Sequence, residues 1–304
     1  MNGIVPLWKP VGMTSHDCVV RLRRIFATKK VGHTGTLDPE VQGVLPICIG
    51  EATKIVPYLT DTSKTYLAEV TLGYATDTED QTGKVIEQTP VNKGAITETV
   101  IERVLLNFLG QIEQVTPLYS AVKVNGKRLY QYARENQPVE RPIRQVRVDD
   151  ITYIEHSLSF KSDRAVFQFQ ATVSKGTYIR TLSVDIGKAL GYPAHMSQLI
   201  RTGTADFTKK QTYTLEQLEQ LKDSARLTEC LYPIQSGLSH LPVYQVNEKL
   251  VSRVLNGQKL SQPDDWNSDR AYRVEHKGKL LAIYQSHPTK AGEIKPLRVF
   301  NSER

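Results

Sequence analysis

With 304 residues, 39% hydrophobic and 23% charged, the chain has the make-up of a soluble globular protein of about two domains, which excludes disordered, collagenous and coiled-coil classes. No apolar run approaches the ~20 residues of a membrane span, and the start lacks a basic segment followed by an apolar one, so a cytoplasmic protein is expected. A net charge of +7 suggests a polyanionic partner, whereas three cysteines and seven histidines without ligand spacing, and the lack of Walker or Rossmann glycines, predict no metal and no cofactor.

In chain order, Ser15 reads as the N-cap of a helix running to Phe26, with Val19, Leu22 and Phe26 on one face and Arg21, Arg23 and Arg24 outside it. The segment Lys9 to Lys30 carries a net +5, a candidate phosphate-tracking surface. A glycine-rich loop follows from Lys29 to Gly35, then an apolar run from Val44 to Ile49 and a helix from Ala52 to Leu59. Tyr66 to Gly73 alternates as a strand, and Asp77 to Gly83 reads as an acidic turn. The spacing predicts a helix from Ile96 to Phe108 with Gly110 as its stop, strands near 111–115, 145–155 and 164–173, and a helix from Thr177 to Leu190 closed by Gly191. Thr214 and Gln217 form a capping box for one more helix.

Thr116 to Arg147 is the second basic block, also net +5, and it is interleaved with Tyr119, Tyr130 and Tyr132. Rings that stack on bases beside cations that hold the backbone suit unpaired or looped RNA, although Tyr132 is equally readable as a packing anchor. Beyond Pro242 the texture changes to short strands, Tyr272 to Val274, Leu280 to Tyr284 and Ile294 to Phe300, with turn chemistry from Leu260 to Arg270. Strands and helices do not alternate as βαβ units. The expected fold class is α+β, a mixed, largely antiparallel sheet flanked by helices, with a small β-rich C-terminal domain.

The most distinctive stretch is Gly32 to Pro46 (GHTGTLDPEVQGVLP). Asp38 before Pro39 is a common way to start a helix, the carboxylate capping free N–H groups. Three glycines and two prolines around Asp38 also describe a loop that admits a ligand closely.

These residues resemble the TruB family of tRNA pseudouridine synthases, which isomerise the uridine at position 55 in the TΨC loop. The resemblance spans nearly the whole chain, through Lys9 to Ser15 (KPVGMTS), the Gly32 to Pro46 loop, Lys64 to Tyr66 (KTY), Tyr119 to Arg128 and Ser174 to Arg180 (SKGTYIR). It implies a pseudouridine synthase fold over residues 1–240, with an RNA-clamping insert at about 116–147, and a short PUA-like RNA-binding domain over 241–304. Asp38 is implied as the catalytic aspartate, Arg180 as the arginine paired with it, and Tyr66 as the ring stacked on the target uracil. Leu199 would line the base pocket, His33 would enter the space the flipped base leaves, and Tyr178 would form the rim. Lys9, Lys123, Lys127 and Arg128 are expected to touch substrate.

A single carboxylate suffices for such a reaction, because the departing base is also the incoming nucleophile and no water is consumed. The partner implied is the TΨC stem-loop of tRNA, with no membrane, no obligatory protein partner and a monomeric state. The sequence departs from the family pattern at Trp8, at Thr116-Pro117 where paired prolines are usual, and in its short tail. The rival readings are a non-catalytic tRNA-binding or folding module, a guide-RNA-dependent pseudouridine synthase, and a base-exchanging transglycosylase whose zinc site these cysteines cannot build.

Overall fold

The structure, a computed structural model, describes residues 1–300. Seven strands form the body of a ten-stranded sheet: β1 (Gly3–Lys9), β2 (Gln42–Ile49), β3 (Lys64–Leu72), β4 (Gly110–Val115), β5 (Ile143–Tyr153), β6 (Arg164–Val173) and β7 (Ala194–Thr204). Their spatial order is β1-β2-β7-β3-β6-β5-β4. Every neighbouring pair is antiparallel except β2 with β7, which run parallel where Gly43 faces Arg201. The expected mixed, largely antiparallel α+β sheet is therefore the one observed.

Three helices cover it: α1 (Ser15–Ile25), α2 (Glu98–Leu106) and α3 (Ile179–Ala189). Thr14, not Ser15, caps α1, accepting from Asp17 N while its own N–H donates to the Asp17 carboxylate. That capping box satisfies the first turn and releases Ser15 for another task. The predicted helix at Ala52 to Leu59 is split into a 3-10 turn, Gly50–Ile55, and a short α-helix, Val56–Thr60, with Pro57 in the first turn of the latter. Gly110 does not stop α2, which ends at Leu106 with Asn107 as its C-cap. It opens β4 with φ +93, a left-handed conformation that favours glycine. Helix α3 begins two residues later than the spacing suggests, because buried Gln114 of β4 bonds both the N–H and the carbonyl of Tyr178 and fixes where the helix starts.

Two apolar clusters lie along the sheet. One packs Ala68, Val70, Phe167 and Phe169 against Leu182 and Ile186 of α3. The other packs Val5, Leu45 and Ile47 against Leu22 of α1 and Leu218. Tyr66 and Leu199 touch both, so they stand at the seam. A second sheet of five strands, from Val243–Gln245 to Glu293–Val299, has its own core around Val254, Trp266 and Tyr284. The stretch expected to be pure turn there holds a two-residue strand, Leu260–Ser261, and Trp266 stacked on Tyr272 at 3.9 Å. Leu280, Ile283 and Phe300 dock this sheet on Ile4, Ile55 and Leu59.

Candidate active site

Asp38 does not cap a helix. Its chain turns instead, with Val41 N donating to Asp38 O at 3.0 Å, and the carboxylate is left 55% exposed. The loop around it is fastened by its backbone. Ser15 Oγ accepts from Leu37 N at 2.9 Å and donates to Leu37 O at 3.2 Å, the task its release from capping allows. Lys9 Nζ donates to Val41 O at 2.7 Å, Pro39 O at 3.3 Å and Pro10 O at 2.8 Å, and Gly12 N donates to Pro39 O. From the other side, the fully buried Arg201 donates from Nε to Val44 O at 2.7 Å and from Nη2 to Gly35 O at 3.2 Å. Gly43 is required where this arginine's strand comes closest: its φ is +133, and a Cβ there would lie 2.2 Å from Arg201 O.

This geometry corrects one expectation. Lys9 was expected to touch substrate, but it is fully buried and its three donors are directed at carbonyls, so it holds the aspartate loop and reaches no phosphate. The same burial pushes its pKa down. Within the basic block from Lys9 to Lys30, Arg21 pairs with Glu219 and Lys30 with Glu51.

Arg180, in the first turn of α3, is 9% exposed and meets four acceptors. Nη2 lies 3.5 Å from the Asp38 carboxylate and donates to Tyr119 O at 3.1 Å; Nη1 lies 3.5 Å from the Asp80 carboxylate and donates to Thr78 O at 3.2 Å. A planar, permanently charged fork is the side chain able to span such a set. Asp80 is fixed in turn by Thr78 Oγ1 at 2.7 Å and by Thr82 N and Oγ1 at 2.9 and 2.6 Å.

A cavity of about 400 Å³ brings together Asp38, Tyr66, Tyr178, Arg180 and Leu199, and Tyr119 and Tyr130 of the insert line it too. A neighbouring space of about 770 Å³ shares Asp38, Tyr119, Tyr130, Arg180 and Leu199 and extends to Asp80 and Arg134. Both volumes fall in the range of small-ligand sites. Tyr66 reaches the cavity from β3, where it faces Arg201 of β7 and Ala171 of β6.

His33 sits half-buried on a short strand, Val31–His33, outside the walls of both spaces; its Nδ1 accepts from Gly35 N at 3.4 Å. Burial, aided by Arg201 and His16, lowers its pKa. Lys123 and Arg128 are exposed on a two-stranded hairpin of the insert. Lys127, on the same hairpin, is engaged within the insert: it pairs with Glu135, donates to Gln137 Oε1 at 2.8 Å, and lies over the Tyr132 ring at 4.6 Å. Tyr132 donates its hydroxyl to Val124 O at 3.0 Å, which makes it the packing anchor.

Asp80, Gln114 and Arg201 were not singled out from sequence. The acidic turn that holds Asp80 was visible, but its meeting with Arg180, 100 positions away in the chain, was not. Gln114 and Arg201 act on backbone atoms, and no spacing rule signals that.

Comparison with known proteins defines the class first. A crystal structure of a Cbf5–Nop10–Gar1 complex superposes with a TM-score of 0.75 at 27% identity, over 98% of this chain and 85% of that one. The fold is therefore the pseudouridine synthase fold, with a PUA-like C-terminal half-barrel. The profile described as TruB family pseudouridylate synthase (N terminal domain) matches residues 23–179, and that of the tRNA pseudouridylate synthase B C-terminal domain matches 180–239. The chain is 55% identical to tRNA pseudouridine synthase B of Oceanobacillus iheyensis, over 100% of this chain and 99% of that protein. It is 50% identical to that of Bacillus subtilis, over 98% and 97%. The chain belongs to the TruB family of pseudouridylate synthases and is an isomerase.

Proposed function

We propose that the chain isomerises the uridine at position 55 in the TΨC loop of tRNA to pseudouridine, acting on that stem-loop without a guide RNA or protein partner. The observation that carries this reading is a cavity lined together by Asp38, Tyr66, Arg180 and Leu199. The relatives at 55% and 50% identity, both tRNA pseudouridine synthases B, favour tRNA itself over a guide-positioned substrate.

In this reading the target nucleotide leaves its stack, at a cost of a few kcal/mol, and enters the cavity. Tyr66 stacks on the uracil, Leu199 lines its pocket, Tyr178 forms the rim, and neutral His33 fills the gap left in the loop. Lys123 and Arg128 offset the unstacking with phosphate contacts. The N1–C1′ bond breaks with the help of Asp38, held by Arg180. The uracil turns, C5 bonds to C1′, the C5 proton departs to a base, and N1 takes up a proton. No water or redox partner is consumed. Residues 1–240 form the catalytic domain, and the sheet within 241–304 is a further RNA-binding surface.

The test is a tRNA transcript labelled with tritium at uridine C5, incubated without metal or nucleotide. Wild type is expected to release label, and Asp38→Asn to release none. Replacing uridine 55 by cytidine in the transcript is expected to abolish release from the wild type. Label release by Asp38→Asn would overturn the assignment of Asp38.

A further inference from the structure

Glu79 lies in the acidic turn next to Asp80 and takes no part in the chemistry above. Its backbone has φ +65, an uncommon conformation for a residue with a side chain, so surrounding contacts must hold it there. Those contacts are specific. Met196 N donates to Glu79 O at 3.0 Å, and Glu79 N donates to Thr76 O at 3.2 Å. The carboxylate is 16% exposed and accepts from Thr181 Oγ1 at 2.6 Å. Its other oxygen lies 3.6 Å from the guanidinium of Arg141, which is itself 40% exposed.

Thr181 follows Arg180 in the first turn of α3, and Arg141 stands where the insert returns to the sheet. The next residue, Pro142, accepts from Thr116 N at 3.0 Å, a bond that closes the base of the insert and that a proline at 116 could not donate. The departing leg of the insert is tied as well, because Tyr119 O accepts from Arg180. Both legs thus converge on the same helical turn, one directly at Arg180 and the other through Glu79 at Thr181.

We propose that Glu79 is a positioning residue: through Arg141 it fastens the returning leg of the insert to the turn that carries Arg180, and so holds the clamp where it captures RNA. This rests on the reading of the insert as an RNA clamp. Arg141 then serves Glu79 rather than a phosphate.

The experiment is steady-state kinetics on the tRNA transcript for Glu79→Gln, Arg141→Gln, Arg141→Lys and the Glu79→Gln/Arg141→Gln pair, with melting temperatures alongside. Each Gln variant is expected to raise KM about tenfold with kcat changed less than threefold, the pair to be no worse than the more impaired single variant, and Arg141→Lys to restore KM to within about twofold of wild type. Arg141 is surface-exposed, so its variants test the idea even if Glu79→Gln folds poorly. If Arg141 instead binds RNA directly, Glu79→Gln leaves KM unchanged or lowers it, and the proposal is overturned. Multiplying effects in the pair, or a fall in melting temperature with KM intact, overturn it too. Failure of the clamp reading is separately visible, as an unchanged KM for Lys123→Glu and Arg128→Glu.

Discussion

Arg180 stands 3.5 Å from the Asp38 carboxylate through one guanidinium nitrogen, and that nitrogen also serves Tyr119 O of the insert. Its other terminal nitrogen serves Asp80 and Thr78. The cation beside the candidate catalytic group is therefore shared among three loops, and its position reports on all of them.

Arg180→Lys keeps the charge and loses the fork. An ammonium on a flexible stem cannot hold acceptors on opposite sides at once. We expect kcat to fall roughly 10²–10³-fold, the scale of losing one preorganised donor, with tRNA affinity within a few-fold of wild type. Single-turnover assays with a filter-binding control measure both; retained kcat would remove Arg180 from the catalytic machinery.

Lys9→Met removes the buried ammonium and leaves the carbonyl of Val41 without its donor, while Pro39 O keeps Gly12 N. Stability is expected to drop by about 1–3 kcal/mol, given the cost of an unpaired buried acceptor, and activity to fall with the loosened aspartate loop. Urea denaturation checks the first. A variant as stable as wild type that binds tRNA poorly would return Lys9 to the RNA surface.

His33 gives a pH dependence. Burial chiefly, with Arg201 and His16 adding, lowers its pKa below 6.5. On acidification the unfolded chain therefore takes up this proton first, so the contribution of His33 to stability is present above pH 6.5 and is lost as pH falls through the folded-state value. In urea titrations the stability of wild type relative to His33→Asn should shrink between pH 7.5 and pH 5.5. An unchanged difference would mean that His33 titrates alike in both states.

The cations of the insert should separate. Lys123→Glu and Arg128→Glu are expected to raise KM steeply at moderate salt and to lower the slope of log affinity against log salt by about 0.7 to 1 each. Lys127 is already paired with Glu135, so Lys127→Gln should chiefly loosen the hairpin, visible as a smaller change in salt slope than either neighbour gives. Equal slopes for all three would put Lys127 on the phosphates.

The sequence by itself determined the elements whose signals are local: alternation along β3 and β6, the apolar face of α1, the Thr214 capping box and the glycine that follows α3. It also marked Asp38, Tyr66, Arg180 and Leu199, because a chain-long family resemblance needs only linear motifs. What those motifs could not supply was reach. Ser15 and Lys9 were misread because capping and charge are judged from sequence neighbours, whereas their partners, Leu37, Pro39 and Val41, arrive from 22 to 32 positions away. Only the folded chain decided that one lysine would be buried under a loop, that Arg180 would be divided between Asp38 and Asp80, and that both legs of a basic insert would end on one helical turn. Each of these depends on distances between segments remote in the chain, which packing sets and spacing along the sequence does not encode.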